Sequence, residues 1–251
     1  MNVFIITGAS KGLGEATAQL LLKENNELIL IARNENEELV RHAKEAGVAL
    51  RFLNEDLSNH DKIPGMVKSI LGSINKEKAE SVFFINNAGM VDPIKPAGKS
   101  DPELMTKSIH LNLLTPMLIT NEFLKLTEDW DCKKVIVNIS SGAANRPIYG
   151  WNTYGTTKAG LDMFTKSVGH EQGTATNPAI IISFSPGIMD TDMQGTIRQA
   201  DKEDFTNVEV FKNYHENGEL RSPGFVAQKM LDLIRSDGME NGRVYDIKEF
   251  V

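Results

Sequence analysis

The chain has 251 residues, of which 41% are hydrophobic and 24% charged, a balance that excludes an acidic disordered tail and a coiled coil and fits a protein with a buried core. Its net charge of −7 argues against a nucleic-acid binder or a partner of anionic membranes. Its only cysteine is Cys132, which excludes an intrachain disulfide framework and points to a reducing, cytoplasmic setting.

In chain order, short apolar runs alternate with segments whose apolar residues recur about every 3.6 positions. The opening run Met1-Asn2-Val3-Phe4-Ile5-Ile6 is too short for a signal-peptide core and lacks a basic lead, so residues 3–7 are expected to form a buried strand. No stretch reaches the roughly 18–20 apolar residues of a membrane span. Further strands are expected over 27–32, 49–53, 81–86, 134–139, 179–185 and 243–246. Several are nearly continuous Val, Ile, Leu and Phe, as a parallel strand covered on both faces requires. Helices are expected over 14–23, 34–46, 60–74, 102–126, 152–172 and 223–235. This alternation predicts an α/β fold of one domain, residues 1–251, with a doubly wound, seven-stranded parallel sheet and helices on both faces. Residues 187–220 break the rhythm. They are polar and lack a strand, and are expected to form a substrate-covering lid.

The first strand runs into Thr7-Gly8-Ala9-Ser10-Lys11-Gly12-Leu13-Gly14, where a helix begins. Glycines let a backbone turn sharply and approach a pyrophosphate, and the helix N-terminus offers free N–H groups to it. At the end of the second strand an acidic residue would bind a ribose 2′-hydroxyl and repel a 2′-phosphate. This chain has Ile31-Ala32-Arg33-Asn34, with no acid until Glu35. Arg33 can fork onto a phosphate, with Lys11 in the glycine turn beside it, so the expected cofactor is NADP(H).

Tyr154-Gly155-Thr156-Thr157-Lys158 carries the sharpest catalytic signal. On a helix, residues i and i+4 share a face, so Tyr154 and Lys158 are expected side by side. A lysine ammonium near a phenol favours the phenolate and is expected to pull its pKa below the usual value of about 10.

The Gly-x-x-x-Gly-x-Gly spacing after Thr7 resembles the short-chain dehydrogenase/reductase family. The resemblance implies a Rossmann fold and a nicotinamide cofactor lying against Gly8, Ser10, Lys11, Gly12, Leu13 and Gly14, with Arg33 and Asn34 near its ribose. It implies adenine contacts at Asp56 and Leu57, where a cap on the next helix by Ser58 or Asn59 is the other reading. Asn86-Asn87-Ala88-Gly89 resembles the family's Asn-Asn-Ala-Gly motif, so that Asn87, Ala88 and Gly89 line the cofactor. Ser185-Pro186-Gly187-Ile188-Met189-Asp190-Thr191 resembles its Pro-Gly-x-x-x-Thr segment, so that Pro186, Gly187, Ile188 and Thr191 hold the carboxamide. Tyr154 becomes the proton donor, and Lys158 binds the ribose. Ser141, thirteen residues before Tyr154, orients the carbonyl, with Ser140 as the competing choice. Asn112 matches the family's helix asparagine, which holds a water; His110 is structural.

Longer strings at 85–91, 138–144, 158–165, 183–191 and 240–250 are similar to family members that reduce vicinal dicarbonyl compounds. They imply a small-molecule carbonyl substrate, an aryl 1,2-diketone reduced at one carbonyl. A pterin carbonyl and a non-catalytic NADPH-binding role remain as the other readings. A flat apolar slot is expected, walled by Pro147, Tyr149, Trp151, Met189 and Met193 beside Ser141. Asp246 is a candidate pterin anchor or a plain strand-end aspartate. No metal site is expected. The family's use of helices like 102–126 and 152–172 in dimers implies a homodimer.

Overall fold

The computed structural model describes residues Met1–Val251. Seven strands form one sheet: β1 (Asn2–Thr7), β2 (Asn26–Ala32), β3 (Ala49–Asn54), β4 (Ser81–Asn86), β5 (Lys133–Ile139), β6 (Ile180–Ser185) and β7 (Val244–Asp246). Their order is β3-β2-β1-β4-β5-β6-β7 and every neighbouring pair is parallel. The chain starts in the middle, walks out to β3, then returns past β1 to β4. The crevice outside the carboxyl ends of β1 and β4 is therefore the topological switch point, where ligands bind in open parallel sheets.

The period of two in the strands sorts the core into two layers. Phe4, Ile6, Leu28 and Leu30 face one side with Leu13, Leu39, Val226 and Met230. Val3, Ile5, Ile29 and Ile31 face the other with Val67, Ile70, Ile119 and Phe123. The first layer is covered by α1 (Gly12–Leu20), α2 (Glu37–Glu45) and α9 (Pro223–Arg235). The second is covered by α3 (Ile63–Gly72), α5 (Thr115–Leu126) and α6 (Asn152–Gln172).

Every expected strand and helix exists, with shifted edges. α2 starts at Glu37 because the Asn36 side chain caps it, accepting from the Leu39 N–H at 2.9 Å. Neither Ser58 nor Asn59 caps the following helix by its side chain. Residues His60–Lys62 form a 3₁₀ turn, and the Ser58 N–H and hydroxyl both donate to Asp56 Oδ1. The expected single helix 102–126 is α4 (Pro102–Ile109), a π-helical turn (His110–Leu114) and α5. Pro116 accounts for the break. It has no N–H for the Asn112 carbonyl four residues back, so the regular ladder is disrupted there.

Residues 187–220 contain two short helices, α7 (Asp192–Arg198) and α8 (Val208–Glu216), and one isolated bridge between Met189 and Arg221. No helix is long and apolar enough to cross a membrane.

Candidate active site

The carboxyl ends of six strands deliver the expected site residues to one edge of the sheet. Thr7 braces the crevice between β1 and β4. Its hydroxyl accepts from the N–H groups of Asn87 (2.9 Å) and Ala88 (3.0 Å), and Asn87 Nδ2 donates to the Thr7 and Gly8 carbonyls. Gly8 sits at φ +66°, and a Cβ there would stand 2.9 Å from Ala88 Cα, so only glycine lets the two strand ends meet. α1 starts at Gly12 with no side-chain cap, whereas α2, α4, α7 and α9 are each capped by a side chain. An uncapped first turn in a glycine bend fits an anionic group such as a pyrophosphate. Asn36, not anticipated from the sequence, ties this bend to the start of α2 by donating to the Ser10 carbonyl at 3.0 Å. Its signal was an asparagine followed by the acidic pair Glu37-Glu38.

Around this turn the structure brings together most of the expected cofactor residues. Arg33 and Asn34 are exposed at the end of β2. Asp56 follows β3 with its pKa lowered, chiefly by the two Ser58 hydrogen bonds and further by Lys107 and Arg33 nearby. Leu57 is buried, its carbonyl held by the Thr115 hydroxyl at 2.6 Å. Thr191 caps α7, and its methyl would lie 3.4 Å from a Cβ on Gly12, so the segment after β6 closes onto the glycine turn. Lys11 departs from expectation. Instead of standing free beside Arg33 it pairs with Asp192 at 2.7 Å.

Tyr154 and Lys158 project from one face of α6, and both are buried. Lys158 Nζ lies 5.8 Å from the Tyr154 ring centre and donates to the Ile139 carbonyl at 2.8 Å. A Cβ on Gly89 would stand 3.7 Å from that ammonium and 3.1 Å from Asn112 Oδ1, which brings Gly89, Asn112 and Lys158 to one spot. Asn112, in the π-helical turn, is fully buried. Its side chain accepts from the Met90 N–H at 2.9 Å and donates to the Met90 carbonyl at 2.8 Å. That leaves its own backbone carbonyl without the N–H that Pro116 lacks. His110 lies edge-on to His60 with ring centres 4.6 Å apart, a packing role.

The two serines separate cleanly. Ser141 is partly exposed, accepts from the Ala143 N–H at 3.2 Å, and its hydroxyl lies beside the Tyr154 phenol. Ser140 is buried, its N–H donating to the Phe184 carbonyl at 2.9 Å and its hydroxyl turned to Asp162.

One electrostatic expectation is corrected. Burial pushes the Tyr154 phenol above its ordinary value, and the Ser141 hydroxyl offsets only part of this. Lys158 does not offset this, because its own pKa of about 8 lies below that of the phenol, so it is already neutral at the pH where the phenol would titrate. Desolvation lowers Lys158 to about 8, with Asp162 the group that opposes it. Asp162 lies one helical turn beyond Lys158. The i, i+4 spacing that found Lys158 would have found it too. Its carboxyl pKa is raised by burial, while Ser140 and Ser183 hold it down in part; Oδ1 completes no hydrogen bond.

Behind these groups a polar ladder crosses three strands. Asn86, Asn138 and Ser183 are register partners on β4, β5 and β6. Asn86 Nδ2 donates to Asn138 Oδ1 (2.8 Å), Asn138 Nδ2 to the Thr165 hydroxyl (2.9 Å), and the Ser183 hydroxyl to the same Thr165 oxygen (2.9 Å). These bonds tie α6 to the sheet below Tyr154, with Asn86 Oδ1 the one buried side-chain atom of the ladder left without a partner.

The expected substrate wall is redrawn. Trp151 is only 6% exposed: Phe205 from 187–220 stacks on it and Phe211 packs against it edge-on, so it is already covered. Met193 and Ile188 pack on this cluster with Tyr154, Val91, Ile94 and Ala143. Met189 does not. It packs on the layer under β6 instead, because the bridge to Arg221 turns it away, and its neighbour Ile188 takes the place expected for it. Tyr149 is half exposed and lies outside the cluster, and Pro147 is exposed. Phe205 and Phe211 are the residues the sequence reading missed; their signal was two phenylalanines in a largely polar stretch. Asp246 is a cap. It accepts from the Lys248 N–H at 2.9 Å while Glu249 accepts from its own N–H at 2.8 Å.

Comparison with known proteins agrees with this architecture. The family pattern described as short chain dehydrogenase matches residues 2–202. A "Benzil reductase ((S)-benzoin forming)" of Bacillus subtilis (strain 168) is 43% identical over 251 residues, covering 100% of both chains. A sepiapterin reductase of Xenopus tropicalis is 29% identical over 250 residues, 95% of this chain and 93% of that one. Among solved structures, the KRED1-Pglu enzyme superposes with a TM-score of 0.83 at 26% identity, over 97% of this chain and 100% of that chain. With a matching family pattern over most of its length, a switch-point crevice with an uncapped glycine turn, and Ser141, Tyr154 and Lys158 gathered at one strand edge, the chain belongs to the short-chain dehydrogenase/reductase family and is an oxidoreductase acting on carbonyl or alcohol groups.

Proposed function

We propose that this chain is an NADPH-dependent reductase that converts one carbonyl of an aryl 1,2-diketone to a hydroxyketone, benzil to (S)-benzoin. The observation that carries the reading is the contact of Tyr154, with the Ser141 hydroxyl beside it, on the aromatic cluster of Trp151, Phe205 and Phe211. The proton donor therefore rests on an apolar cluster whose partly exposed neighbours, Ile188 and Met193, offer an aryl-compatible wall. The full-length similarity to a benzil reductase supports it.

As a short-chain dehydrogenase the chain uses a nicotinamide cofactor. When bound, that cofactor would supply the hydride. The residues that would hold it are Gly8, Ser10, Gly12, Leu13, Gly14, Asp56, Leu57, Asn87, Ala88, Gly89, Pro186, Gly187, Ile188 and Thr191. The choice of NADP(H) rests on Arg33, an exposed cation with no acid at the end of β2.

Tyr154 donates its proton to the carbonyl oxygen. Burial favours the neutral phenol, so the proton is in place at neutral pH. Ser141 donates a hydrogen bond to the same oxygen, where negative charge develops. Lys158 holds the cofactor's ribose, and its ammonium stabilises the phenolate left on Tyr154. The Asn112 carbonyl, which Pro116 cannot bond in the α-helical register, is the group proposed to hold the water that returns a proton to Lys158.

Residues 1–251 act as one domain, with 187–220 covering the substrate. A second copy of the chain packs on α4 and α6, whose Leu104, Ile109 and Met163 side chains are exposed, Met163 by 61%. A cytoplasmic setting belongs to the same reading. The pterin alternative rests on the more distant relative, and its candidate anchor Asp246 serves as a cap through Oδ1.

The test is incubation with excess NADPH and benzil, with products separated on a chiral column. One benzoin enantiomer, the S form, is expected. Racemic benzoin, a diol as main product, or no turnover rejects the reading; no turnover with rapid sepiapterin reduction replaces it with the pterin one.

A further inference from the structure

We infer that Lys95 and Asp204 are positioning residues: they clamp the middle of the 187–220 segment to the mouth of the active site and thereby set discrimination for aryl dicarbonyls over small ones. The inference rests on the aryl-diketone reading above.

Three stretches of chain meet at this point: the loop after β4, the loop before α6, and the turn between α7 and α8. Lys95 Nζ pairs with Asp204 Oδ2. The Asp204 carboxylate is buried while its partner is half exposed, so this is not a solvated surface pair. The Lys95 backbone N–H donates to the Gly150 carbonyl at 3.0 Å, and Asn152 Nδ2 donates to the Lys95 carbonyl at 2.8 Å. Gly150 itself sits at φ +86°, and a Cβ on it would lie 2.2 Å from the Asp204 carbonyl oxygen. The backbones of 150 and 204 therefore touch, and only glycine permits it.

The next residue on each side carries the contact to the reacting centre. Trp151 and Phe205 stack with ring centres 5.0 Å apart and planes 22° from parallel. Phe211 of α8 meets the edge of the same indole at 5.4 Å, and the Tyr154 ring meets it at 5.3 Å. Trp151 Nε1 has no hydrogen-bond partner, so ring packing alone sets the indole's position. The mechanical chain runs from Lys95 to Asp204, from Phe205 to Trp151, and from Trp151 to Tyr154.

It follows that the covering segment does not swing freely at its middle. Its α8 half is a preformed wall, and a preformed wall favours ligands large enough to reach it. A bulky aryl arm would lie against Ile188 and Met193, the partly exposed residues that rest on the buried Phe205 and Phe211, whereas a four-carbon dicarbonyl offers little surface to them. An exposed ion pair contributes little. Here removal of Lys95 leaves a buried carboxylate unpaired, which moves the turn that bears Phe205.

The test compares the wild-type protein with Lys95→Met, Asp204→Asn and the conservative Lys95→Arg. The readouts are kcat and KM for benzil and for butane-2,3-dione, the enantiomeric excess of benzoin, and hydrogen exchange of the α8 amides. In Lys95→Met and Asp204→Asn the ratio of benzil to butanedione kcat/KM is expected to fall about fivefold or more, within the range of coupled neighbours. The fall should appear mainly in the benzil KM, with lower enantiomeric excess and faster α8 exchange. Lys95→Arg should restore most of the ratio. An unchanged ratio, or equal losses on both substrates, overturns the inference. If the wild-type protein reduces butanedione but not benzil, the aryl-diketone reading fails by itself. The clamp is then judged by exchange, and unchanged α8 exchange in both variants overturns it.

Discussion

Lys11 and Asp192 form a 2.7 Å ion pair that joins the glycine-rich turn after β1 to the first turn of α7. Their side chains are 66% and 71% exposed, so this is a weak surface pair, screened by salt. A 2′-phosphate with its higher charge can take Lys11 from Asp192, but Asp192 opposes it. Replacing Asp192 by Asn is therefore expected to lower the KM for NADPH by up to about fivefold at low ionic strength, with the gain shrinking in high salt. A KM that rises would mean the pair itself holds the cofactor.

Arg33 forms no ion pair, although the Asp56 carboxylate lies near enough to feel its charge. Arg33→Asp replaces a phosphate-binding fork with a carboxylate suited to a ribose hydroxyl. Loss of a charge-assisted pair is worth roughly 1.5–3 kcal/mol, so the kcat/KM preference for NADPH over NADH should narrow by about ten- to a hundredfold or reverse. Equal use of both cofactors by the unmodified protein would sink the NADP(H) assignment.

Tyr154→Phe keeps the ring that packs on Trp151 and removes only the proton. NADPH should still bind, seen by fluorescence titration, while kcat falls by roughly two orders of magnitude or more. Retention of most of the rate would mean another group supplies the proton.

Lys158 makes folding pH-dependent in a direction opposite to a paired lysine. Its folded value is about 8 against 10.5 for the free group. Between those values the unfolded chain binds more protons, so stability rises with pH. Below pH 8 both states are charged and the burial cost, on the order of 3 kcal/mol, is fully present. Lys158→Met removes that cost. The stability advantage of the variant over wild type should therefore be largest near pH 7 and shrink as pH approaches 10.5, as urea unfolding at a series of pH values would measure. A difference that stays flat over that range would mean that Lys158 keeps an ordinary pKa.

The proposed dimer face is testable through its most exposed member. Met163→Glu puts a charge at a 61%-exposed apolar position on α6, and Leu104→Glu does the same on α4. Charges are depleted from interface cores, so either substitution should shift a dimer toward monomer in sedimentation while leaving the unfolding midpoint of the monomer near its original value. A wild-type protein that sediments as a monomer refutes the proposal directly.

The strands were legible because parallel strands covered on both faces leave continuous apolar runs, and a run such as Leu28-Ile29-Leu30-Ile31 could only be interior. Tyr154 and Lys158 were legible because four residues close one helical turn. What escaped depends on contacts between distant segments. Lys95 and Asp204 are 109 residues apart, and no periodicity links them. Met189 and Ile188 exchanged places because a one-residue step reverses facing, and the bridge that fixes it involves Arg221. The Tyr154 pKa went the other way because composition reports neighbours, not depth of burial.

The choice between Ser140 and Ser141 gives the sharpest single test of the site. Sequence spacing favoured Ser141 but left Ser140 adjacent in the chain. In a strand, adjacent side chains face opposite ways, and the pair sits where β5 ends. Ser141 is partly exposed and lies beside the Tyr154 phenol; Ser140 is buried against Asp162 and completes no hydrogen bond with its hydroxyl. Ser141→Ala removes a donor aimed at the developing oxyanion, a loss that typically lowers kcat by about a hundred- to a thousandfold. Ser140→Ala removes a group that helps hold the Asp162 carboxyl down, so Asp162 should become easier to protonate, with kcat at neutral pH reduced far less than in Ser141→Ala. The comparison of kcat for the two variants at pH 7, with Tm recorded for each, decides it. If Ser140→Ala loses the larger share of kcat while its Tm is unchanged, the roles are reversed, and the carbonyl must approach from the Asp162 side of α6 instead of the Trp151 side.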